Sequence, residues 1–496
     1  MRNNIETGGG RLSRIREKIV GNYPRTGLVF SNTYNKLGER GEFSSKKGKV
    51  FNRKIYKEFR THHGSGSLGM VADGNEPLIL AAALQDRVGA GFAENGMGQP
   101  IVVLPYLPSR GRKQEDILLE ENPDYKGRIY FDEKAGKIVD KITGNQGNFA
   151  KHIDNIIEYH AGVEDALNAH YRKETITLRS IVTKEEAKNG VKGEKILFSP
   201  KKIDFVVEAG NRVSPTEFPN RYFAFPALFS RIAQETMNDL ELGFDAVKIQ
   251  QARDIVKKGE NYSLAFIPRE NTFSHQYEKL DDQPSSYGES TIIYTPPLKE
   301  DKPEISGEAE PGIYVMFSGT GGAAEANAKL VEAASRAGLK VYVPPWVKID
   351  GAETKLPSIL ADKNIKAIVG RSGWGTVWQA RQYGKALLLT AYQKGDDPEI
   401  SNNNKTIEKL GYGKVITPEW IENTSSEDLT KEFQKLSLVS DQLKAEDKNR
   451  WGTADGLKVA ADAIVNDLAE RGVIYTITPY NSMSYDDRLC FNSICF

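Results

Sequence analysis

V-G-R-S-G-W-G-T-V-W-Q-A-R-Q-Y-G-K-A-L-L-L-T-A-Y-Q-K-G-D-D-P-E-I-S-N-N-N-K-T-I-E-K-L-G, residues 369–411, carries the strongest signals in the chain. The apolar run 365–369 predicts a strand that enters a small-residue turn at Ser372, Gly373 and Gly375. A helix is predicted from near Thr376. The start of a helix exposes backbone N–H groups that have no acceptor inside it, and the helix dipole adds partial positive charge there. Glycines let a phosphate come close to that backbone. A second apolar strand, 386–391, runs into an acidic and amide cluster: Asp396, Asp397, Glu399, Asn402, Asn403 and Asn404. The pattern sets a phosphate-sized anion site beside groups suited to hydroxyls, a pairing that suits a nucleotide sugar.

Immediately upstream the same strand-turn-helix grammar repeats. Residues 313–317 predict a strand, Ser318, Gly319, Thr320, Gly321 and Gly322 a phosphate-type turn, and 323–337 an alanine-rich helix. A strand at 340–343, a turn at Pro344, Pro345 and Trp346, and a short helix at 356–362 lead into the opening stretch. A dinucleotide-type domain is the competing reading of that glycine turn. It would need Gly-x-Gly-x-x-Gly and an acidic residue at the end of the second strand, and neither is present. Residues 299–312 are charged, contain Pro and Gly and show no apolar period, so they predict a linker.

Before the linker, strands are predicted at 101–104, 203–208, 263–267 and 291–294, with helices at 75–88, 148–173, 223–240 and 246–258. A hairpin is expected from 128–131 and 137–139. The alternation describes a second doubly wound α/β unit. His152, His160 and His170 on the 148–173 helix lack the spacing of three or four that a metal pair on a helix needs, so they are expected to be surface or hydrogen-bonded histidines. The glycine-rich segment around His62, His63, Gly64, Gly66 and Gly69 predicts a flexible turn, with Asp73 as a further titratable group beside it.

The 369–411 stretch resembles the donor-binding segment of GT-B glycosyltransferases, in the branch of the peptidoglycan N-acetylglucosaminyltransferase and the UDP-glycosyltransferases. Arg371, Gly373 and Thr376 match its Arg-x-Gly-x-x-Thr, and Gly384, Asp397, Asn403 and Gly411 keep its spacing. Gln379 stands where that family has a Glu on the ribose, and Met70 stands near the place of its loop histidine. A Gln carbonyl accepts a hydroxyl more weakly than a carboxylate does.

The resemblance implies an α/β protein of GT-B type, with two Rossmann-like doubly wound parallel-sheet domains facing a cleft. It implies a glycosyltransferase, in particular a hexosyltransferase working without a metal, that moves a sugar from a nucleotide diphosphate sugar, expected to be a UDP-sugar, to a hydroxyl acceptor. The donor is a substrate, and no cofactor is implied. The implied donor residues are Ser318, Gly319, Thr320, Gly321, Val347, Arg371, Ser372, Gly373, Trp374, Gly375, Thr376, Gln379, Asp397, Glu399 and Asn403. The general base would come from His62, His63 or Asp73. A nucleotide-sugar 2-epimerase shares the fold, and a non-catalytic nucleotide-sugar-binding or scaffold protein would fit Met70 and Gln379. A late helix at 455–471 is expected to cross back onto the first domain.

The expected boundaries are a basic extension at 1–62, an acceptor-side domain at 63–298, the linker at 299–312, a nucleotide-sugar domain at 313–478 and a tail at 479–496. Of 67 Lys/Arg and 67 Asp/Glu, residues 1–62 hold fifteen and five, leaving +10 there and −10 in the remainder. The extension is expected to be solvated, with its amphipathic segment 11–20 open to contact with an anionic membrane surface. Motifs that read RNA are absent, so nucleic acid is not an expected partner; the acceptor is a lipid or a small molecule. The two cysteines, Cys490 and Cys495, build no disulfide framework. No apolar signal core opens the chain, and the expected location is cytoplasmic, peripheral to a membrane if the extension binds one.

Overall fold

The computed structural model describes residues 26–31, 101–105, Leu80, Leu84 and, with gaps of which 270–284 and 317–330 are the longest, 129–471. The first lobe is a ten-stranded sheet in the order β5-β4-β3-β2-β1-β6-β7-β8-β10-β9. Its members are β1 (Thr26–Ser31), β2 (Ile101–Pro105), β3 (Ile129–Asp132), β4 (Ile176–Ser180), β5 (Lys195–Phe198), β6 (Phe205–Ala209), β7 (Arg221–Ala224), β8 (Leu264–Pro268), β9 (Ser285–Tyr287) and β10 (Ser290–Thr295). The seven strands from β3 to β10 run parallel, while β4, β5 and β9 are antiparallel additions at the edges.

Three sequence expectations change here. Thr26–Ser31 lies inside the stretch read as an extension, yet it pairs with β2 and β6 at the centre of the sheet. The first lobe therefore takes in residues from 26. The expected 128–139 hairpin is a single strand followed by helical turns at Lys134–Ala135 and Lys137–Ile138; Asp132 caps the first of these, accepting from the N–H groups of Lys134 and Ala135 at 3.1 and 3.0 Å. β3 pairs instead with β4, through Tyr130↔Ser180 and Phe131↔Arg179. The apolar run from Phe223 is strand first, as β7, and becomes helical only at Phe229–Asn238. Such a run has no period that separates a buried strand from a buried helix. The segment 11–20 and the tail lie outside the described residues.

The second lobe is a six-stranded, wholly parallel sheet in the order β13-β12-β11-β14-β15-β16. Its strands are β11 (Gly312–Met316), β12 (Lys340–Val343), β13 (Glu353–Thr354), β14 (Ile365–Gly370), β15 (Ala386–Thr390) and β16 (Gly413–Ile416). β11, β14 and β15 are buried along nearly their whole length, as parallel strands covered on both faces must be. In each sheet the strand order reverses once: between β1 and β6 in the first, between β11 and β14 in the second. Ligands of open α/β sheets bind in the crevice beyond the carboxyl ends of the strands at such a point. Those ends are Ser31 and Ala209 in one lobe, Met316 and Gly370 in the other.

Two elements hold the lobes together. The helix Gly456–Glu470, capped by the Asp455 side chain, leaves the second lobe and packs on β8 and β10. Its Asp467 accepts from the Tyr222 hydroxyl at 2.6 Å. It buries Leu457, Ile464 and Leu468 in the core that also contains Phe266 and Ile292. Each such side chain is worth about 1.5–3 kcal/mol, so this end of the chain is a fixed part of the first lobe. The linker is strapped down: Asp362 accepts from Glu308, Ala309 and Asn364 N–H groups, and Lys385 reaches Glu304 at 3.1 Å and the Asp362 carbonyl at 3.1 Å. Among the described residues no helix is long and apolar enough to cross a membrane.

The first lobe contains a buried polar core. Glu208 accepts from Arg221 at 2.9 Å and from the Tyr262 hydroxyl. Glu260 accepts from the Ser230 N–H at 3.0 Å and from its hydroxyl. Burial pushes the Glu260 carboxyl from 4.5 up to about 7, against the pull of the Ser230 bonds and with help from Glu208. The folded state therefore holds a proton that the unfolded chain releases near 4.5, and stability falls as pH rises from 4.5 to 7, by up to about 3 kcal/mol. Glu260→Gln is expected to flatten this decline, read as Tm against pH; equal slopes in the two proteins would refute the assignment.

Candidate functional site

The turn after β14 lies at the reversal point of the second sheet. Gly370 is paired with Met316, and a Cβ there would collide with the Met316 carbonyl, so only glycine lets β11 and β14 come this close. Gly373 then caps the helix Trp374–Tyr383 in an extended conformation (φ −67°, ψ 152°) that offers no side chain to the first turn. The first intrahelical bond runs from Val377 N–H to the Gly373 carbonyl at 3.1 Å. The Gly375 and Thr376 N–H groups precede it and point out of the helix start, where an anion is favoured. Among the described residues, a Cβ on Gly373 would have one neighbour within 4 Å, a carboxylate oxygen of Glu399 at 4.0 Å.

All ten residues of this helix are buried. Its far end closes on Gly384 in the left-handed conformation (φ 62°), which a glycine adopts without strain. Arg381 fixes its position: the guanidinium donates to the Ser440 carbonyl at 2.7 Å and to Asp447 at 2.9 Å, both on the helix Ser426–Trp451.

A second helix, Pro398–Leu410, is fastened to the same turn. The Ser372 hydroxyl donates to the Ile400 carbonyl at 3.0 Å, and the Asn403 amide donates to the Ser372 carbonyl at 2.6 Å. The Asn404 amide donates to the Thr390 carbonyl at the end of β15, 3.1 Å away. Sequence reasoning placed Asn403 toward a ligand; its amide nitrogen is bonded to the turn it was expected to serve from outside. Asn404 and Arg381 were missed. The run Asn402-Asn403-Asn404 held the signal for the first, while the second depends on a carboxylate 66 residues downstream.

Gln379 sits one turn below Gly375 on the buried helix, 8% exposed, and among the described residues its Oε1 has no hydrogen-bond partner. Arg371 is buried at the start of the turn, and Glu399 is half-buried. The structure thus brings together Arg371, Ser372, Gly373, Trp374, Gly375, Thr376, Gln379, Glu399 and Asn403 on one turn and two helices. His62, His63, Asp73, Ser318, Gly319, Thr320, Gly321, Val347 and Asp397 lie outside the described residues. His160 and His170 are bonded to Glu164 and Asp132 at 2.9 and 2.8 Å, as the spacing argument expected.

Residues 346–464 match the glycosyltransferase family 28 C-terminal domain. The second lobe is a glycosyltransferase family 28 C-terminal domain. Among solved structures, the UGT of Medicago truncatula complexed with UDP-glucose is 9% identical, with a TM-score of 0.50 over 91% of this chain and 99% of its own. The glycotransferase of kitacinnamycin is 11% identical, with a TM-score of 0.47 over 89% and 99%. The UGT2 of Phytolacca americana, complexed with UDP-2-fluoro-glucose and pterostilbene, is 10% identical, with a TM-score of 0.46 over 80% and 97%. At such identities the likeness to the Medicago structure establishes the fold, GT-B, across both lobes. No curated protein matches the chain by sequence.

In this family 28 domain the Arg381–Asp447 pair is almost fully shielded from water. Removing one member of a buried pair leaves the other charge uncompensated, at about 3–5 kcal/mol. Arg381→Ala is expected to lower stability by that amount in urea unfolding; a loss under about 1 kcal/mol would show that the clamp does not set the helix.

Proposed function

We propose that the chain is a glycosyltransferase that takes a UDP-sugar as donor and a hydroxyl compound, a lipid or a small molecule, as acceptor. The observation that carries the reading is the start of the Trp374–Tyr383 helix, which has no side-chain cap and is followed on the same helix by the Gln379 oxygen, without a partner among the described residues. The diphosphate lies against the Gly375 and Thr376 N–H groups, with Arg371 as a nearby cation. Gln379 Oε1 accepts a ribose hydroxyl. Glu399, held at Gly373, accepts hydroxyls of the sugar.

The acceptor oxygen attacks the anomeric carbon as the bond from that carbon to the diphosphate oxygen breaks. Charge grows on the leaving diphosphate, and fixed donors aimed at that charge lower the barrier because they need no reorganisation. The helix start and Arg371 supply this stabilisation, so the proposed hexosyl transfer uses no metal. A base in the first lobe, His62, His63 or Asp73, takes the acceptor proton. Ser318, Gly319, Thr320 and Gly321, which follow β11 at the reversal point, complete the phosphate site, with Val347 toward the base and Asp397 toward the sugar.

Gly373→Asp tests the site without damaging the fold. Its backbone conformation suits any residue, a Cβ has room, and Asp is a favoured helix cap. The new carboxylate takes the place proposed for the diphosphate. Wild-type protein is expected to gain thermal stability with UDP, about 2.7 kcal/mol at a hundredfold excess over Kd. The variant is expected to melt normally and to show no UDP response. A full response in the variant would refute the site. For the base, alanine at His62, His63 or Asp73 is expected to lower turnover by roughly 10²–10⁴ in one of the three; full activity in all three would remove them from the mechanism.

A further inference from the structure

The helix Trp374–Tyr383 buries two glutamines. One of them is fastened: the Gln382 amide donates to the Glu300 carbonyl at 2.6 Å. The other, Gln379, is buried with an oxygen that has no partner among the described residues. On a helix the side chain of residue i+4 shares a face with residue i and tilts toward the N-terminus. The Gln379 amide therefore leans toward Gly375, which has no side chain to stand between them. It leans toward the end of the helix that favours an anion.

The chemistry of this group decides what the site asks of a nucleotide. Gln379 stands about one helical turn, roughly 5.4 Å, from the phosphate end of the helix. That span matches the reach from a diphosphate to the ribose hydroxyls of the same nucleotide. An amide is neutral and can turn either its oxygen or its nitrogen toward a hydroxyl. A carboxylate in its place would be a buried charge that depends on donors, and a nucleotide without the hydroxyl would leave it unpaired. A hydrogen bond between neutral groups changes binding by about two- to twelvefold, one to a charged group by about 12- to 150-fold.

We propose that Gln379 sets the nucleotide preference of the donor site: its neutral amide meets the ribose 2′-hydroxyl and leaves the site open to 2′-deoxyribonucleoside diphosphates. The proposal rests on the donor-site reading above and widens its donor class from UDP-sugars to their 2′-deoxy relatives. Ribose is favoured only by the weight of one neutral hydrogen bond, about two- to twelvefold. A site rejects an analogue strongly when the missing group leaves a buried partner in need of it. The amide at 379 carries no charge that needs one.

Calorimetric titration of the full chain with UDP and with 2′-deoxy-UDP tests it, read as the ratio of the two Kd values. The wild-type protein is expected to favour UDP by about two- to twelvefold. In Gln379→Met, similar in length and apolar, the ratio should fall to about one through weaker binding of UDP. In Gln379→Glu it should rise above the wild-type ratio. Melting curves identify which variants fold; if the buried carboxylate prevents folding, the wild-type ratio and the Met variant decide. A wild-type ratio well above twelvefold, the same ratio in wild type and Gln379→Met, or no rise in a folded Gln379→Glu would overturn the proposal. Failure of wild-type protein to bind either nucleotide, or undiminished UDP binding by Gly373→Asp, would instead overturn the donor-site reading on which it rests.

Discussion

A helix buried along its whole length, with no side-chain cap on its first turn, is the constraint around which the second lobe is built. The N–H groups at the start of Trp374–Tyr383 have no acceptor inside the helix, and there Gly373 withholds the side chain that normally caps one. The sheet brings that start to the reversal between β11 and β14, where Gly370 allows close strand approach. Arg381 sets the depth of the helix, and Ser372, Asn403 and Asn404 bring a second helix against the turn. The Gln379 oxygen belongs to the same arrangement: it is buried with the helix and left without a donor.

The first lobe supplies the opposite wall by a different physical route. Its parallel centre is extended by antiparallel strands at both edges, and its interior carries charge: Glu208, Arg221, Tyr262 and Glu260 share a hydrogen-bonded core beneath the sheet. Glu208 is paired with Arg221, whereas Glu260 has only the neutral Ser230 groups and burial raises its pKa, so this core contributes a pH dependence to stability. The C-terminal helix and the strapped linker fix one side of the junction between lobes. The Lys405–Asp239 pair, with a largely exposed lysine, is a further contact between them.

The second lobe was largely legible in the sequence because its signals are local. Apolar runs of four to six residues, a glycine turn and an amide-rich segment fall within 43 residues, 369–411, and the strands and helix appear where those signals put them. The first lobe was harder. β1 is a short run in basic, glycine- and serine-rich surroundings, and its central place comes from pairing with strands 70 or more residues away, which no local pattern records. The end of β7 looked helical because 223–229 is a continuous apolar run with no period that separates strand from helix. Within the candidate site, residue types do not disclose their hydrogen-bond partners. Asn403 is suited by chemistry to a ligand oxygen, yet its amide holds the backbone; the bonding partner of Arg381 depends on where the 426–451 helix lies.

The central claim is that a nucleotide diphosphate binds at the start of the Trp374–Tyr383 helix. Amide hydrogen exchange across the chain, with and without UDP, addresses it most directly because it reads the backbone N–H groups themselves. The account predicts that UDP slows exchange at residues 372–376 more than at any other part of the second sheet's connections, with smaller protection along 398–405. Unchanged exchange at 372–376 under saturating UDP, or protection confined to another segment, would contradict it.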